Sequence, residues 1–210
     1  MKIIFLGDSI TDMGRTNEPE HVAIGYGVGY PNMIIGELSY AHPGKYQFLN
    51  RGINGNRVVD LRARIQEDVW NHNPELLSIL IGINDTWYDR EEKEEIALRY
   101  FEREYRMLLG DTKGKLPNIK FILCEPFVLK YGAGDGGEKW KRLLRVKQYA
   151  KVVKKLAQEF DAYFVPLQEI LDEAAANYSV EYYLYDGMHT TAAGAKLIAT
   201  EWLKTFKTIK

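Results

Sequence analysis

Cysteine is scarce in this 210-residue chain, which contains only Cys124. A single thiol cannot form an internal disulfide, and the apolar neighbours of Cys124 in F-I-L-C indicate a buried strand residue. The sequence also lacks a run of about 18 apolar residues and a leader with a basic start and an apolar centre. These absences predict a cytoplasmic protein with no membrane partner.

An excess of charge of one sign is absent as well. The chain carries 28 lysines and arginines against 29 aspartates and glutamates, and its formal net charge is -1 at pH 7. No basic stripe could follow a phosphate backbone, so nucleic acid is not an expected partner. Hydrophobic residues at 46% and charged residues at 27% are ordinary for a globular protein. We therefore expect residues 1–210 to form a single domain that acts on a small molecule.

Short apolar segments alternate along the chain with segments of helical periodicity. Ile3 to Leu6 are four apolar residues in a row, which suits a strand that is buried on both faces. Further strands are predicted at 46–50, 76–81, 119–124 and 162–165. Helices are predicted at 32–41, from 57 to about 69, from the acidic segment 89–95 to about 109, and at 138–159, 167–176 and 190–206. This alternation predicts an α/β fold, with a parallel sheet covered by helices on both faces.

Small polar turns follow the first three predicted strands. Their sequences are G-D-S, G-I-N-G-N and G-I-N-D. Because the carboxyl ends of parallel strands meet at one edge of a sheet, we expect Ser9, Gly55 and Asn84 to approach one another. The backbone N–H groups of Ser9 and Gly55 and the side-chain amide of Asn84 could then hold a tetrahedral oxyanion.

Asp186 and His189 lie three residues apart, just before the last predicted helix. A serine hydroxyl is a weak nucleophile, and it needs an imidazole to accept its proton and a carboxylate to orient that imidazole. Ser9, His189 and Asp186 supply these groups. Each motif alone is also typical of a turn or a helix cap, so the interpretation depends on their combination.

A metal centre is an alternative use of the same residues. Asp8, Asp12, Asn84, Asp85 and His189 all carry groups that bind hydrolytic metals. The sequence has no H-x-x-x-H pair and no carboxylate cluster at ligand spacing to support such a site. We therefore predict that the protein needs no metal and no other cofactor.

The four motifs G-D-S-I-T, N-R-G-I-N-G-N, G-I-N-D and D-G-M-H resemble, in order and spacing, the sequence blocks of the SGNH hydrolases, also called the GDSL esterase and lipase family. The resemblance spans residues 7–189. It implies a flavodoxin-like three-layer α/β/α sandwich with a five-stranded parallel sheet. It also implies a catalytic triad of Ser9, Asp186 and His189 and an oxyanion hole of Ser9, Gly55 and Asn84.

Gly52 competes with Gly55 for the oxyanion position. The resemblance favours Gly55, because the second glycine of the family's G-I-S-G-D-T pattern falls there. This chain has asparagine, at Asn54 and Asn56, where that pattern has serine and aspartate. These two differences concern the substrate and leave the reaction unchanged.

Two segments, around N-R-G-I-N-G-N-R-V-V-D-L and I-G-I-N-D-T-W-Y, look most like the intracellular acetyl xylan esterases, which remove acetyl groups from xylo-oligosaccharides. This likeness implies an acetylesterase with an acyl-serine intermediate and a possible homo-oligomer. Two alternatives stay open: a lysophospholipase or thioesterase that acts on longer acyl chains, and an inactive carbohydrate-binding protein of the same fold.

Four residues are candidates for substrate binding: Asp8, Trp87, Tyr88 and Phe127. Trp87 and Tyr88 follow the Asn84 turn and could form an aromatic platform for a sugar ring, or they could equally pack under the following helix. Phe127 follows the fourth predicted strand and could form a wall of the site. Asp8 is adjacent to Ser9 and is also suited to a hydrogen-bonding role in the turn.

Overall fold

The computed structural model of the chain describes residues 1–16, 23–86, 94–131, 140 and 143–209. A five-stranded parallel sheet lies at its centre, with the strand order β2-β1-β3-β4-β5. The strands are β1 (Lys2–Gly7), β2 (Gln47–Gly52), β3 (Leu76–Leu80), β4 (Lys120–Cys124) and β5 (Tyr163–Val165). Helices cover both faces of the sheet, so the predicted α/β/α fold class is confirmed.

Nine α-helices and three short 3-10 helices connect the strands within the described residues. The α-helices are α1 (Ser9–Asp12), α2 (Tyr30–Ala41), α3 (Val58–Ala63), α4 (Ile65–Asp68), α5 (Glu94–Lys115), α6 (Val146–Glu159), α7 (Gln168–Asn177), α8 (Val180–Tyr183) and α9 (Ala192–Phe206). The 3-10 helices are Ala23–Tyr26, Trp70–His72 and Asn84–Thr86. No helix in the described ranges combines the length and the apolar character that crossing a bilayer requires.

The apolar run of β1 contributes to both layers of the core. Ile3 and Phe5 belong to a cluster that includes buried residues of α2, α7 and α9. Ile4 and Leu6 face the opposite way, into a cluster with residues of α3, α5 and α6. Because neighbouring side chains of a strand point to opposite faces, a strand between two helical layers is apolar at every position.

The strand order reverses beside β1. From β1 the chain crosses to β2 on one side, and it then returns to β3 on the other side. Gly7 pairs in register with Gly52 of β2 and Leu80 of β3, so the three strands end at the same level. Open parallel sheets bind ligands outside such a reversal, at the carboxyl ends of the strands. Ser9 and Asn84 follow β1 and β3 at this edge.

Candidate active site

Ser9 is the first residue of α1, immediately beyond the turn that ends β1. Asp8 caps this helix, and its Oδ1 accepts the backbone N–H of Ile10 at 3.0 Å. The helix ends at Met13, whose N–H donates to the carbonyl of Ser9 at 3.0 Å. Ser9 is therefore held by backbone and cap contacts, which leave its half-buried side chain available for chemistry.

The loop 184–190 positions Asp186 and His189 in front of α9. An isolated antiparallel bridge joins Leu184 and Thr190, and the N–H of Tyr185 donates to the carbonyl of His189 at 3.1 Å. Gly187 adopts a φ of +85°, and a Cβ at this position would lie 2.4 Å from the carbonyl oxygen of Leu129. The D-G-M-H turn therefore requires glycine at its second position, both for its backbone angle and for this close approach.

The structure brings Ser9, His189 and Asp186 into one chain of hydrogen bonds. His189 Nε2 lies 2.8 Å from Ser9 Oγ, and His189 Nδ1 lies 2.6 Å from Asp186 Oδ2. The other carboxylate oxygen, Oδ1, accepts the backbone N–H groups of Met188 at 3.0 Å and His189 at 2.8 Å. Residues 180 positions apart in sequence thus meet at the sheet edge where the turns were expected to converge.

The electrostatics of Asp186 determine which ring nitrogen of His189 carries the proton. Burial by itself would raise the pKa of Asp186, but the hydrogen bonds from His189 and Met188 together outweigh it, so this pKa lies below its ordinary value. An ionised carboxylate only accepts hydrogen bonds, so the 2.6 Å contact requires the proton on Nδ1. Neutral His189 therefore presents Nε2 as an acceptor, and the Ser9 hydroxyl donates to it.

The turn after β2, residues 53–56, is fixed by several backbone contacts. The N–H of Ile53 donates to Gly7 O at 3.1 Å, and the N–H of Asn54 donates to Asp12 Oδ2 at 3.1 Å. Gly55 has a φ of +78° and is exposed, with open space around the position that a Cβ would occupy.

Gly52, in contrast, is buried, and a Cβ there would lie 2.2 Å from the backbone nitrogen of Asp12. The exposed Gly55 is thus open to an incoming molecule, whereas Gly52 packs against α1. This difference supports the choice of Gly55 over Gly52 for the oxyanion position.

Asn84 starts the 3-10 helix that follows β3. Its Nδ2 donates to the carbonyl of Asn56 at 3.0 Å, which connects it to the turn that contains Gly55. A primary amide has two N–H groups, and this contact uses one of them. The second N–H of Asn84 can therefore donate to a substrate oxygen while the first one holds the side chain in place.

Asp8 does not lie where a substrate contact would need it. Its side chain is 1% exposed, and Oδ1 serves as the cap of α1. Oδ2 is buried without a hydrogen-bond partner among the described residues. Burial raises the pKa of Asp8 to about 7, although the N–H of Ile10 and the charge of His189 oppose the shift. The expected substrate-binding role of Asp8 is therefore corrected to a buried structural one.

We expect the Asp8→Asn variant to show a weaker pH dependence of its unfolding free energy. The native state keeps the Asp8 proton up to a pKa of about 7, whereas the unfolded chain releases it near 3.8. The native state thus binds more protons in this window, so the Asp8 contribution to stability is present at low pH and is lost as the pH rises. Between pH 5 and pH 8 it amounts to about 3 kcal/mol.

Chemical denaturation of both proteins at pH 5 and pH 8 measures this difference. The asparagine places an N–H group where Oδ2 has no partner, so the variant can be less stable at both pH values. The readout is accordingly the change between the two pH values. An unchanged pH dependence in the variant would show that Asp8 is ionised in the native protein.

The prediction that Phe127 forms a wall of the site is not supported by its position in the structure. It is fully buried in the cluster that contains Ile3 and Phe5, so it presents no surface to a substrate in this structure. The chain after β4 turns back into the core, as the buried neighbours Val128 and Leu129 also show. Trp87 and Tyr88, the other aromatic candidates, lie outside the described residues.

Asn50 is a residue of the site that the sequence analysis missed. It is fully buried in β2, and its Nδ2 donates to the carbonyls of Thr11 and Tyr26, each at 2.8 Å. Its Oδ1 accepts the N–H of Gly52 at 2.9 Å. Asn50 thus ties α1 to the end of β2, and a polar residue within a short apolar strand was the signal that could have revealed it.

Arg64 is a second residue that was missed. Its Nε donates to Asn56 Oδ1 at 2.8 Å, one Nη donates to the carbonyl of Gly7 at 3.3 Å, and the other pairs with Asp68. The guanidinium therefore supports the Gly55 turn and the end of β1 from behind. Nothing in the local sequence distinguishes Arg64 from the other charged residues on its helical segment.

The metal alternative receives no support from the arrangement of the acidic residues. Within the part of the chain that the structure describes, no group of three or more histidine, cysteine, aspartate or glutamate side chains is placed to hold a metal ion. Asp8 and Asp85 each accept a backbone N–H, from Ile10 and Val58 respectively. These carboxyl groups therefore organise the turns that contain Ser9 and Asn84.

Comparison with known proteins agrees with this geometry. Residues 5–197 match the model of the GDSL-like Lipase/Acylhydrolase family. An acetylxylan esterase from Geobacillus stearothermophilus is 34% identical over 209 residues, which cover 97% of this chain and 92% of that protein.

Solved structures give the same relationship. A GDSL-like lipase from Parabacteroides merdae ATCC 43184 has a TM-score of 0.88 at 35% identity and covers 98% of this chain and 95% of its own. The structure of the Geobacillus stearothermophilus esterase has a TM-score of 0.83 at 31% identity, with coverages of 100% and 94%. The chain therefore belongs to the GDSL-like lipase/acylhydrolase family and is a carboxylic ester hydrolase.

Proposed function

We propose that this protein is a serine esterase that removes acetyl groups from carbohydrates such as xylo-oligosaccharides, through an acyl-Ser9 intermediate. The observation that carries the proposal is the hydrogen-bonded chain from Ser9 Oγ to His189 Nε2 at 2.8 Å and from His189 Nδ1 to Asp186 at 2.6 Å. A serine becomes a nucleophile when a neutral imidazole can accept its proton at this distance.

In the first step, Ser9 Oγ attacks the ester carbonyl carbon while its proton moves to His189 Nε2. Asp186 then faces an imidazolium ion and stabilises its charge. The negative charge that develops on the carbonyl oxygen is received by the N–H groups of Ser9 and Gly55 and by the amide of Asn84. Because these donors are held by backbone contacts and by Asn56, they need little rearrangement during the reaction.

To complete acylation, the tetrahedral intermediate collapses and the bond to the alcohol oxygen breaks. His189 Nε2 returns its proton to that oxygen, so the sugar leaves as a neutral alcohol and the acetyl group stays on Ser9. A water molecule then attacks the acyl-enzyme with His189 again as the base, and acetate and free Ser9 result.

The acetylated-sugar substrate is supported by the likeness to acetylxylan esterase over nearly the whole chain. The triad is supported by three structures of the Geobacillus stearothermophilus esterase, each a catalytic mutant in which an aspartate, a serine or a histidine is replaced by alanine. The catalytic residues of that protein therefore include an aspartate, a serine and a histidine, which are the three residue types that we propose here.

A chain-length series combined with a natural substrate tests the proposal. We expect kcat/KM for p-nitrophenyl esters to be highest for acetate and to fall as the acyl chain lengthens, and we expect acetate release from acetylated xylo-oligosaccharides. A preference for long acyl chains would contradict the proposed acetylesterase activity and would favour a lysophospholipase or thioesterase. The absence of covalent labelling of Ser9 by a fluorophosphonate would instead favour an inactive carbohydrate-binding protein.

A further inference from the structure

We infer that Tyr185 forms the alcohol-side wall of the active site, where its ring packs against the pyranose ring that carries the acetyl group. This inference rests on the proposed function, because the direction in which the alcohol leaves follows from the triad. Trp87 and Tyr88 were the aromatic residues expected to bind the sugar, and Tyr185 was not among the site candidates.

The position of Tyr185 next to the triad is the first observation. Its ring lies nearly parallel to the imidazole of His189, with ring centroids 5.6 Å apart and an angle of 16° between the planes. Its backbone N–H donates to the carbonyl of His189, and Asp186 is the next residue in the chain. Tyr185 is therefore fixed to the same short loop as the two triad residues.

The exposure of Tyr185 is the second observation. Its side chain is 52% exposed although one side of the ring faces His189. A tyrosine that served only to pack against the histidine would gain by burying both faces, since the burial of apolar surface is what stabilises such contacts. The ring is therefore about half open to solvent next to His189, and an apolar face of a ligand can cover the open part.

The chemistry of the reaction determines which part of the substrate meets this ring. His189 Nε2 must lie within hydrogen-bond reach of the alcohol oxygen to protonate it, whereas the acyl oxygen must lie at Gly55 and Asn84. The alcohol part of the ester therefore occupies the histidine side of the site. Because Tyr185 lies against His189, the alcohol and not the acyl chain covers it.

A sugar suits this wall because one face of a pyranose ring presents C–H groups, which pack against an aromatic ring. The flat phenol ring also costs little conformational entropy to hold in place, since its backbone is tied to His189. Small alcohols such as ethanol lack a ring surface that could pack against the phenol ring. Tyr185 is thus expected to discriminate between alcohols of different shape and to leave the acyl preference unchanged.

The test compares Tyr185→Ala with wild type on two acetate esters, acetylated xylobiose and ethyl acetate. We expect the ratio of kcat/KM values, xylobiose ester over ethyl acetate, to fall about 3- to 10-fold, which is the effect of losing one aromatic contact. Tyr185→Phe keeps the ring and should keep the ratio within about twofold. The preference for p-nitrophenyl acetate over p-nitrophenyl butyrate should stay the same in all variants.

Tyr182→Ala is the matched control, because Tyr182 is 51% exposed and its ring contacts are with Tyr178 and Tyr183 instead of the triad. This variant should leave the ratio unchanged. An equal loss on both esters in Tyr185→Ala would overturn the inference, since it would reduce Tyr185 to a support of His189. A ratio identical to that of wild type would overturn it as well.

The failure of the proposed function has a different signature. If wild type hydrolyses ethyl acetate but not acetylated xylobiose, the sugar substrate is wrong, and the ratio for phenyl acetate over ethyl acetate then decides the role of Tyr185. If that ratio falls in Tyr185→Ala, Tyr185 still contacts the alcohol part of the ester, and the alcohol is a ring other than a sugar. An unchanged ratio would contradict the inference that Tyr185 contacts the alcohol.

Discussion

The Ser9→Ala variant is expected to lose ester hydrolysis by a factor on the order of 10⁶ in kcat, the loss that follows removal of the serine from another triad enzyme. Without the Ser9 hydroxyl, the proposed acyl-Ser9 intermediate cannot form. Initial rates on p-nitrophenyl acetate measure the loss, and mass spectrometry after fluorophosphonate treatment should show an adduct in wild type and none in the variant.

The fold should survive this substitution. The cap of α1 comes from Asp8, and the helix contacts of residue 9 run through its backbone, so an alanine keeps them. An unchanged melting temperature would therefore separate lost chemistry from lost structure. If the folded variant still turned over the ester within tenfold of wild type, Ser9 could not be the nucleophile.

The strands were predictable because their signal is local. Four of the five are short, largely apolar runs, β2 is mixed, and all five lie within two residues of their expected limits at both ends. The helical segment that starts after Gly55 was less predictable. Its apolar row, Val58, Leu61, Ile65 and Val69, is buried as expected, yet the segment divides into α3, α4 and a 3-10 helix.

Long-range contacts account for what the sequence pattern missed. The division between α3 and α4 occurs at Arg64, whose guanidinium is bound to Asn56 and to the carbonyl of Gly7, and these partners come from other turns. Phe127 was assigned to the site because it follows a strand, but the path of the chain back into the core is set by packing against distant residues. Periodicity and turn residues carry no information about either contact.

The hydrogen-bonded contacts of Ser9, His189 and Asp186 were predictable because their motifs place reactive residue types after β1 and just before α9, whereas the supporting contacts were not. Asn50 bonds to residues that are remote in sequence, and the stacking of Tyr185 beside His189 depends on the orientation of both rings. The expected homo-oligomer and cytoplasmic location stay predictions, because neither is a property of one folded chain. A sequence motif therefore identifies candidate reacting groups more readily than the residues that support them.

Asp186→Asn is expected to lower kcat by about 10⁴-fold, through the protonation of the histidine and with little change in structure. The asparagine Oδ1 can still accept the N–H groups of Met188 and His189, which Asp186 binds at 3.0 and 2.8 Å. Its Nδ2, however, donates a hydrogen bond towards His189 Nδ1, where the carboxylate accepted one. Nδ1 must then be unprotonated, so Nε2 carries the proton and cannot receive the one from Ser9.

Asp186→Ala provides the comparison that isolates this effect, because it removes the acceptor of both backbone N–H groups as well as the charge. We expect its melting temperature to fall below that of Asp186→Asn, while both variants lose most of their activity. The pKa of Asp186 lies below its ordinary value, so its carboxylate stays ionised on acidification to pH 5 and still accepts both backbone N–H groups of the loop. If Asp186→Asn kept more than a tenth of the wild-type kcat, the carboxylate would only hold the loop, and the orientation of His189 would depend on other contacts such as the ring of Tyr185.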